Sequence, residues 1–253
     1  MNVEEDEGIV PRVHAWGQEE DSKRRAYLVT DYIERGGSGS TAVQRTLGTK
    51  LAQMHKAGVD TLQRDQEVKG KGHGFPVPTH CGATEMDNTW EEDWPTFFAE
   101  RRIGDIVKRI GDSGLTELEQ QLREHVYPLL LEPLKDVKPT ILHGDLWGGN
   151  YIVDERGQPF VFDPSAYYGH NEADLGMTTC FGGYSSAFYE AYHKIIPKVE
   201  PYYEQRIQLY ALFHWLNHEL MFGAYRSTAV KSAEGLIAWA KKEAATKSRK
   251  AEL

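Results

Sequence analysis

The chain has 253 residues, enough for one large domain or two small ones and for a sizeable hydrophobic core. A formal net charge of −9 argues against nucleic acid or an anionic membrane as a main partner, because phosphate groups are bound by clustered Lys and Arg. No run approaches the roughly 18 apolar residues of a membrane-spanning helix, and the acidic N-terminus does not resemble a signal peptide. We therefore predict a protein of the cytoplasm or of an organelle matrix.

The start of the chain predicts a small β region followed by a flexible break. Residues 10–16 predict a short strand entered through Pro11. Residues 26–33 are rich in β-branched and aromatic side chains and predict a second strand after a polar turn. The Gly- and Ser-rich stretch at residues 35–40 is typical of a linker. We therefore divide the chain into residues 1–35 and residues 36–253.

Helical spacing begins after this break. Val43, Leu47, Leu51 and Met54 recur at helical intervals and predict one helix that ends near Gly58. Residues 59–93 are long and irregular, which indicates a functional loop or a small hairpin. Further helices are predicted at residues 94–110, 115–131, 173–181, 185–194, 201–225 and 229–245.

Three short apolar runs interrupt the helices, at residues 140–142, 151–153 and 160–162. A turn at residues 155–158 joins the last two, so they predict a hairpin. A few strands inserted among many helices indicate the α+β class.

The two cysteines, Cys81 and Cys180, lie far apart and belong to no Cys-x-x-Cys motif. This spacing predicts neither a disulfide framework nor a zinc site. For Cys180 we expect a buried and unreactive thiol.

The loop after the first of these strands, HGDLWGGN at residues 143–150, is the main candidate for chemistry. It matches the pattern H-x-D-x-x-x-x-N, in which the aspartate, Asp145, accepts a proton from the attacking hydroxyl and the asparagine, Asn150, binds a metal ion. The predicted hairpin would bring Asp163 beside Asn150, and oxygen ligands of this kind suit Mg²⁺. A polar turn with a capping aspartate is the alternative, but the complete set favours a phosphotransferase.

Several segments resemble the fructosamine kinase family, chiefly HGDLWGGN, FDPSAYYGHNEADLGM and CFGGYSSAFYEAYHKIIP, with further similarity in YLVTDYI, LGTKLAQMH and FHWLNHELMFGAY. The resemblance implies a protein-kinase-like (aminoglycoside-phosphotransferase-like) fold. Residues 1–35 would be the remnant of an incomplete N-terminal lobe with its hinge, and residues 36–253 a mainly helical C-terminal lobe that binds the substrate. The implied activity is ATP- and Mg²⁺-dependent phosphorylation of the 3-hydroxyl of ketosamines, which are fructosamine or ribulosamine adducts, on glycated proteins or free. That phosphorylation promotes deglycation.

The resemblance also implies roles for single residues. Asp145 would be the catalytic base, and Asn150 and Asp163 would hold the metal ion. The hinge facing adenine would comprise Thr30, Asp31, Tyr32 and Ile33, with hydrogen bonds from the backbone of Asp31 and Ile33. The catalytic loop would be supported by His143 and Asp174, and capping of the following helix is a compatible role for Asp174.

Aromatic and amide residues are candidates for substrate contacts. Trp147 could stack on a sugar ring, with core packing as the alternative. Asn88, Trp90 and Trp94 could line an acceptor site, although core packing is the default interpretation. Asn217 and His218 are equally compatible with a core and with a pocket.

The chain departs from the family pattern upstream of residues 26–33. Only 25 residues precede that strand, none forms a Gly-rich phosphate loop, and the first lysine, Lys23, lies in a polar turn. Three explanations stay open: a fragment of a complete enzyme, an impaired homologue, or a catalytically inactive sugar-binding protein. Another small-molecule kinase of the same fold, acting on choline or on an aminoglycoside, is a further alternative.

Overall fold

The computed structural model describes residues 8–19, 25–37, 39–64 and 66–251, so that Lys23 lies outside the described residues. The chain divides into two compact units. The first comprises residues 1–54, 147–163 and 183–197, and the second comprises residues 55–146, 164–182 and 198–253. The division at residue 35, made from the linker composition, stays a prediction.

Short antiparallel strands and longer helices alternate along the chain. The strands are β1 (Val13–Gln18), β2 (Ala26–Thr30), β3 (Thr79–Cys81), β4 (Thr84–Met86), β5 (Thr140–Leu142), β6 (Tyr151–Val153), β7 (Pro159–Val161) and β8 (Tyr167–Gly169). They pair as β1–β2, β3–β4, β5–β8 and β6–β7. The α-helices are α1 (Thr41–Arg64), α2 (Trp94–Thr96), α3 (Asp105–Ile110), α4 (Ser113–Gln121), α5 (Tyr127–Leu130), α6 (Glu172–Thr178), α7 (Ser186–His193), α8 (Tyr203–Phe222) and α9 (Arg226–Ala251).

Most predicted elements are confirmed, with shifted ends. The irregular stretch at residues 59–93 contains the β3–β4 hairpin. The predicted helices over residues 94–110 and 115–131 are interrupted by π-helical turns at Phe97–Gly104 and Leu122–Val126. None of the helices in the described part of the chain is long and apolar enough to cross a membrane.

The predicted end of α1 near Gly58 is wrong, since the helix continues to Arg64. A Cβ atom at position 58 would collide with the Thr140 hydroxyl and with Ile141 of β5. Gly58 therefore serves the close approach of the helix to a strand, and it does not mark the end of the helix.

In the first unit, the β6–β7 hairpin is tied to the start of the chain and to the linker. The Val161 N–H donates to the Ile9 carbonyl (2.8 Å), and the Gly36 N–H donates to the Val153 carbonyl (3.1 Å). On α1, Gly48 lies directly against the Phe188 carbonyl of α7, where a side chain would not fit. The two backbone hydrogen bonds to Ile9 and Gly36 fix the hairpin whose open end carries the predicted metal ligands.

In the second unit, an aromatic core lies under α6 and α8. Trp94 is fully buried, and its indole N–H donates to the Tyr210 hydroxyl (3.0 Å), which also lies 2.8 Å from His170 Nδ1. Gly176 of α6 packs against Tyr210 so closely that a Cβ atom would lie 2.6 Å from the Tyr210 Cβ. The tight contact of α6 with α8 fixes the position of Asp174, which α6 carries.

Candidate active site

Asp174 holds the start of the HGDLWGGN loop through both carboxylate oxygens. Its Oδ2 accepts the His143 N–H (2.8 Å), and its Oδ1 accepts the Gly144 N–H (2.7 Å). His55 Nε2 lies 3.0 Å from the same Oδ2, and both side chains are fully buried. Asp174 thus contacts the loop that it is predicted to support, and His55 is a partner that the sequence interpretation did not identify.

The charge of Asp174 is stabilised by these contacts. Burial alone would raise the pKa of this carboxyl, but the His55 hydrogen bond, the charges of His55 and His143, and the Gly144 N–H outweigh burial and hold the pKa below its ordinary value. Asp174 is therefore a buried carboxylate at neutral pH. Charge-assisted hydrogen bonds of this kind are about twice as strong as neutral ones.

Glycine is the only residue type that the loop accommodates at position 144. Its backbone has φ +80°, and a Cβ atom there would collide with the carbonyl of Ser165. The following residue, Asp145, has its N–H 3.3 Å from His143 Nδ1. His143 thus contacts the backbone at Asp145, and its supporting role stays a prediction.

Two side chains far away in sequence lie beside Asp145. One donor atom each of Cys81, Asp145 and His214 lies within 4.8 Å of the others. Burial, followed by the Asp145 charge, raises the pKa of the Cys81 thiol well above its ordinary value, and the thiol hydrogen-bonds the Asp145 carboxylate. Burial lowers the pKa of His214 to about 3, so its ring is neutral. Reasoning from cysteine motifs did not find this cluster.

In the first unit, the β6–β7 hairpin places Asn150 next to Asp163 at its open end. Tyr151 pairs with Val161, and one step further the Phe162 N–H donates to the Asn150 carbonyl (3.0 Å). The Asn150 side-chain amide lies 3.5 Å from the Asp163 carbonyl. The predicted hairpin is confirmed, with the second strand one residue earlier than expected.

Asp163 adopts a backbone conformation that few non-glycine residues accept. Its φ is 57°, in the left-handed region, whereas its side chain is exposed. Such a conformation typically costs about 1–3 kcal/mol and is concentrated at functional sites. An exposed carboxylate next to an amide oxygen is a donor set that suits a hard cation.

Trp147 is half-exposed, with 43% of its surface accessible, and its indole ring lies over Gly149, where a Cβ atom would overlap the ring. A Cβ atom at Gly183 would lie 2.9 Å from the Gly148 Cα. The buried Gln44 holds the Gly183 segment because its Nε2 donates to the Gly183 carbonyl (3.0 Å). Trp147 is thus a surface side chain held over a compact glycine turn, and the alternative of core packing does not apply to it.

The predicted hinge segment lines a cavity of about 620 Å³ in the first unit. Asp31, Tyr32 and Ile33 are among the lining residues, together with the β6–β7 turn. Thr30 ends β2, and its hydroxyl donates to the Asp31 carbonyl (3.1 Å). The Asp31 N–H already donates to the Arg12 carbonyl (2.9 Å), so Asp31 can offer a ligand its carbonyl oxygen.

Most of the other candidates for substrate contacts serve packing. Trp94 belongs to the aromatic core, and Asn88 accepts from the buried guanidinium of Arg102 (2.8 Å). Asn217 is fully buried and donates to the Cys81 carbonyl (3.2 Å).

Cys180 is half-buried instead of fully buried, and burial raises the pKa of its thiol to about 12, which agrees with an unreactive thiol.

The sequence model of the fructosamine kinase family matches residues 3–238. The chain belongs to the fructosamine kinase family. Over 210 residues it is 41% identical to the chloroplastic protein-ribulosamine 3-kinase of Arabidopsis thaliana, an alignment that covers 81% of the chain and 60% of that relative. The chain spans 57–60% of the length of the plant relatives that it matches.

Solved structures confirm the fold of this fructosamine kinase family member. A crystal structure of a candidate fructosamine-3-kinase from Thermobifida fusca superposes with a TM-score of 0.75 at 29% identity, covering 91% of this chain and 74% of that one. A thermostable mutant of the aminoglycoside phosphotransferase APH(4)-Ia, in ternary complex with AMP-PNP and hygromycin B, superposes with a TM-score of 0.50 at 17% identity, covering 90% of this chain and 76% of that one. The predicted protein-kinase-like, aminoglycoside-phosphotransferase-like fold is therefore confirmed.

Proposed function

We propose that the chain is a kinase that transfers the γ-phosphoryl group of ATP to the 3-hydroxyl of a ketosamine. The observation that carries this proposal is the buried Asp174 carboxylate, which binds two successive backbone N–H groups and so fixes the loop that presents Asp145. Preorganised loops of this kind suit phosphoryl transfer, in which positioning and electrostatics supply most of the catalysis. Membership of the fructosamine kinase family and the similarity to a ribulosamine 3-kinase support the substrate class.

In this proposal Asp145 takes the proton of the sugar hydroxyl as the oxygen attacks phosphorus. The hydrogen bond between its N–H and His143 fixes the backbone from which the carboxylate projects. The Cys81 thiol, which hydrogen-bonds the carboxylate, orients it further. General-base catalysis of this kind contributes about 10²–10⁴-fold to a rate.

Asn150 and Asp163 would hold Mg²⁺, and their oxygen donors at the open end of the hairpin fit such a cation. Bound Mg²⁺ would neutralise charge on the phosphate oxygens. The hinge would hold adenine through the Asp31 carbonyl and the Ile33 N–H. An aminoglycoside phosphotransferase of the same fold binds the ATP analogue AMP-PNP, which supports nucleotide use.

Trp147 would contact the sugar. Its exposed indole face, held over the Gly149 backbone, offers an apolar surface on which a sugar ring could stack. The substrates would be glycated proteins or free ketosamines in the cytoplasm or an organelle matrix, and phosphorylation would promote deglycation. The chloroplastic relative supports an organelle as one such location.

The decisive experiment follows phosphate transfer directly. The full chain is incubated with ATP, Mg²⁺ and either fructoselysine or ribuloselysine, and the phosphorylated sugar is quantified by ³¹P NMR. We expect turnover in the native chain and a loss of at least about 100-fold in Asp145→Asn. Asp136→Asn, a substitution of an exposed aspartate outside the site, is the matched control and should retain activity.

Three results would redirect the proposal. Turnover equal to that of Asp145→Asn would exclude an active kinase in this chain. Binding of a ketosamine without binding of ATP–Mg²⁺, measured separately by calorimetry, would favour a sugar-binding protein. Phosphorylation of choline or of an aminoglycoside in place of ketosamines would assign the chain another acceptor.

A further inference from the structure

Cys81, Asp145 and His214 lie together in the second unit although they come from separate parts of the chain. Cys81 ends β3, Asp145 lies in the loop after β5, and His214 lies in α8. Their donor atoms, one sulfur, one carboxylate oxygen and one imidazole nitrogen, lie within 4.8 Å of one another. Proton transfer to Asp145, with the Cys81 thiol orienting the carboxylate, makes no use of the neutral imidazole of His214.

This donor set selects a particular class of cation. Thiolate and imidazole ligands suit zinc, whereas Mg²⁺ prefers oxygen ligands. The Asn150–Asp163 pair contains only oxygen donors, whereas Cys81 and His214 add a sulfur and a nitrogen to the carboxylate oxygen of Asp145. In a solution that contains both Mg²⁺ and Zn²⁺, the Asn150–Asp163 pair should therefore bind Mg²⁺, and the cluster of Cys81, Asp145 and His214 should bind Zn²⁺.

The polar atoms around the cluster are incompletely satisfied. His214 is 3% exposed, and its Nδ1 has no hydrogen-bond partner in the described part of the chain. The same holds for the Oδ1 of the fully buried Asn217, whose amide N–H donates to the Cys81 carbonyl. Buried polar atoms without partners cost about 1–3 kcal/mol each, and in native proteins they often mark the place of an ion or a water molecule.

We propose that Cys81, Asp145 and His214 form a zinc-binding site that inhibits the chain when it is occupied. On binding, the Cys81 S–H bond breaks, a sulfur–zinc bond forms, and the proton is released to solvent. His214 donates the lone pair of its neutral ring, and Asp145 donates a carboxylate oxygen. The inhibitory part of this proposal rests on the proposed kinase function, whereas the binding part does not.

The geometry requires only small side-chain movements. Zinc bonds of about 2.0–2.3 Å in a tetrahedral site place the ligand atoms about 3.4–3.6 Å apart, compared with the upper limit of 4.8 Å here. Rotations that move each donor by about 1 Å or less close this gap. Asp145 is only half-buried, so zinc can enter the cluster from the solvent-exposed side of this carboxylate. A fourth ligand could bind the zinc from the same side.

The test uses the reduced full chain after removal of metals by chelation. Cobalt is the probe, because a cysteine thiolate bound to Co²⁺ gives a near-ultraviolet charge-transfer absorption, and competition with Zn²⁺ then gives the zinc affinity. We expect one equivalent of cobalt to produce this band. Cys81→Ser should abolish the band, and His214→Gln should weaken zinc binding by more than the roughly 10–100-fold that loss of an outer-shell partner costs.

Cys180→Ser is the matched control because Cys180 is the other of the two cysteines of the chain. It should keep both the band and the affinity. A native chain that gives no thiolate band, or a band that persists in Cys81→Ser and disappears in Cys180→Ser, overturns the proposal. Circular dichroism verifies that each variant is folded, and if Cys81→Ser does not fold, His214→Gln decides alone.

A second arm tests inhibition in any preparation that shows kinase turnover. Zn²⁺ at one equivalent should lower the turnover of the native chain and of Cys180→Ser, and a chelator should restore it. His214→Gln should keep a larger fraction of its own activity at the same zinc concentration. If zinc binds but turnover is unaffected, the inhibitory role is wrong. If no turnover exists with any acceptor, the kinase proposal fails while the binding result stands.

Discussion

Replacing Asp174 by asparagine removes the charge that holds the HGDLWGGN loop, with almost no change in side-chain volume. The carboxylate accepts three hydrogen bonds, from the His143 N–H, the Gly144 N–H and His55. An asparagine has only one acceptor oxygen. Its NH₂ group must therefore face one of the donors that the carboxylate of the native chain accepts from. At least one buried donor then loses its partner, and the remaining bonds lose their charge assistance.

The expected loss of stability follows from these contacts. A hydrogen bond to a charged group contributes about 1.5–3 kcal/mol, and a buried unsatisfied donor costs about 1–3 kcal/mol. The sum, about 2.5–6 kcal/mol, brackets the roughly 3–5 kcal/mol that breaking a buried ion pair costs, and we adopt this narrower range. In a protein of this size, each kcal/mol lowers the melting temperature by about 2–4 °C, so we expect a decrease of about 6–20 °C.

The assay is thermal unfolding followed by circular dichroism, with Asp60→Asn on the exposed face of α1 as the matched control. Although burial alone would raise it, the pKa of Asp174 is lowered in the folded state by its hydrogen bonds and by the charges of His55 and His143, so its contribution to stability is fully present above the ordinary pKa of an aspartate and is lost as the pH falls through the folded-state pKa. The difference in stability between the native chain and Asp174→Asn should therefore persist at neutral pH and shrink only in acid, below the ordinary pKa of an aspartate. A decrease no larger than that of Asp60→Asn would refute the bracing role of Asp174.

Three further substitutions test separate contacts. Gly144→Ala should destabilise the chain by at least about 1–3 kcal/mol, because the backbone has a positive φ and a Cβ atom would collide with the Ser165 carbonyl. Gly235→Ala, in an open helical position, should stabilise the chain by up to about 1 kcal/mol. Thermal unfolding should therefore show changes in melting temperature of opposite sign for the two substitutions. Gln44→Leu removes the hydrogen bond to the Gly183 carbonyl and should raise the KM for the sugar more than the KM for ATP. The exposed Gln53→Leu is its control, and equal effects of the two substitutions on the KM for the sugar would contradict the role of Gln44 in holding the turn under Trp147. Ile33→Pro, which lacks the N–H, should raise the KM for ATP at least about tenfold through loss of about 1.5 kcal/mol, with Ile33→Val unchanged.

Local spacing in the sequence was sufficient for the elements and for part of the candidate site. The hairpin that brings Asn150 beside Asp163 follows from two apolar runs separated by a short turn, because strand pairing across such a turn is a local event. The family pattern in the HGDLWGGN loop indicated the kinase-like fold.

Local patterns failed where packing decided the outcome. Gly58 suggests the end of a helix, yet α1 continues for six further residues because the glycine only makes room for Thr140 and Ile141. For Trp94, in contrast, core packing was the default interpretation, and the aromatic core does enclose its side chain.

The amino-acid sequence by itself determined the class of the fold, the loop that carries Asp145, and the hairpin behind Asn150. Only the tertiary structure brought His55 to Asp174, 119 residues away, and placed Cys81 and His214 beside Asp145. The physical reason is that turns and hairpins are stabilised by neighbours in the chain, and their patterns can be read locally. A contact between distant segments is fixed by the burial of whole helix faces, and no spacing in the sequence records which two side chains meet there.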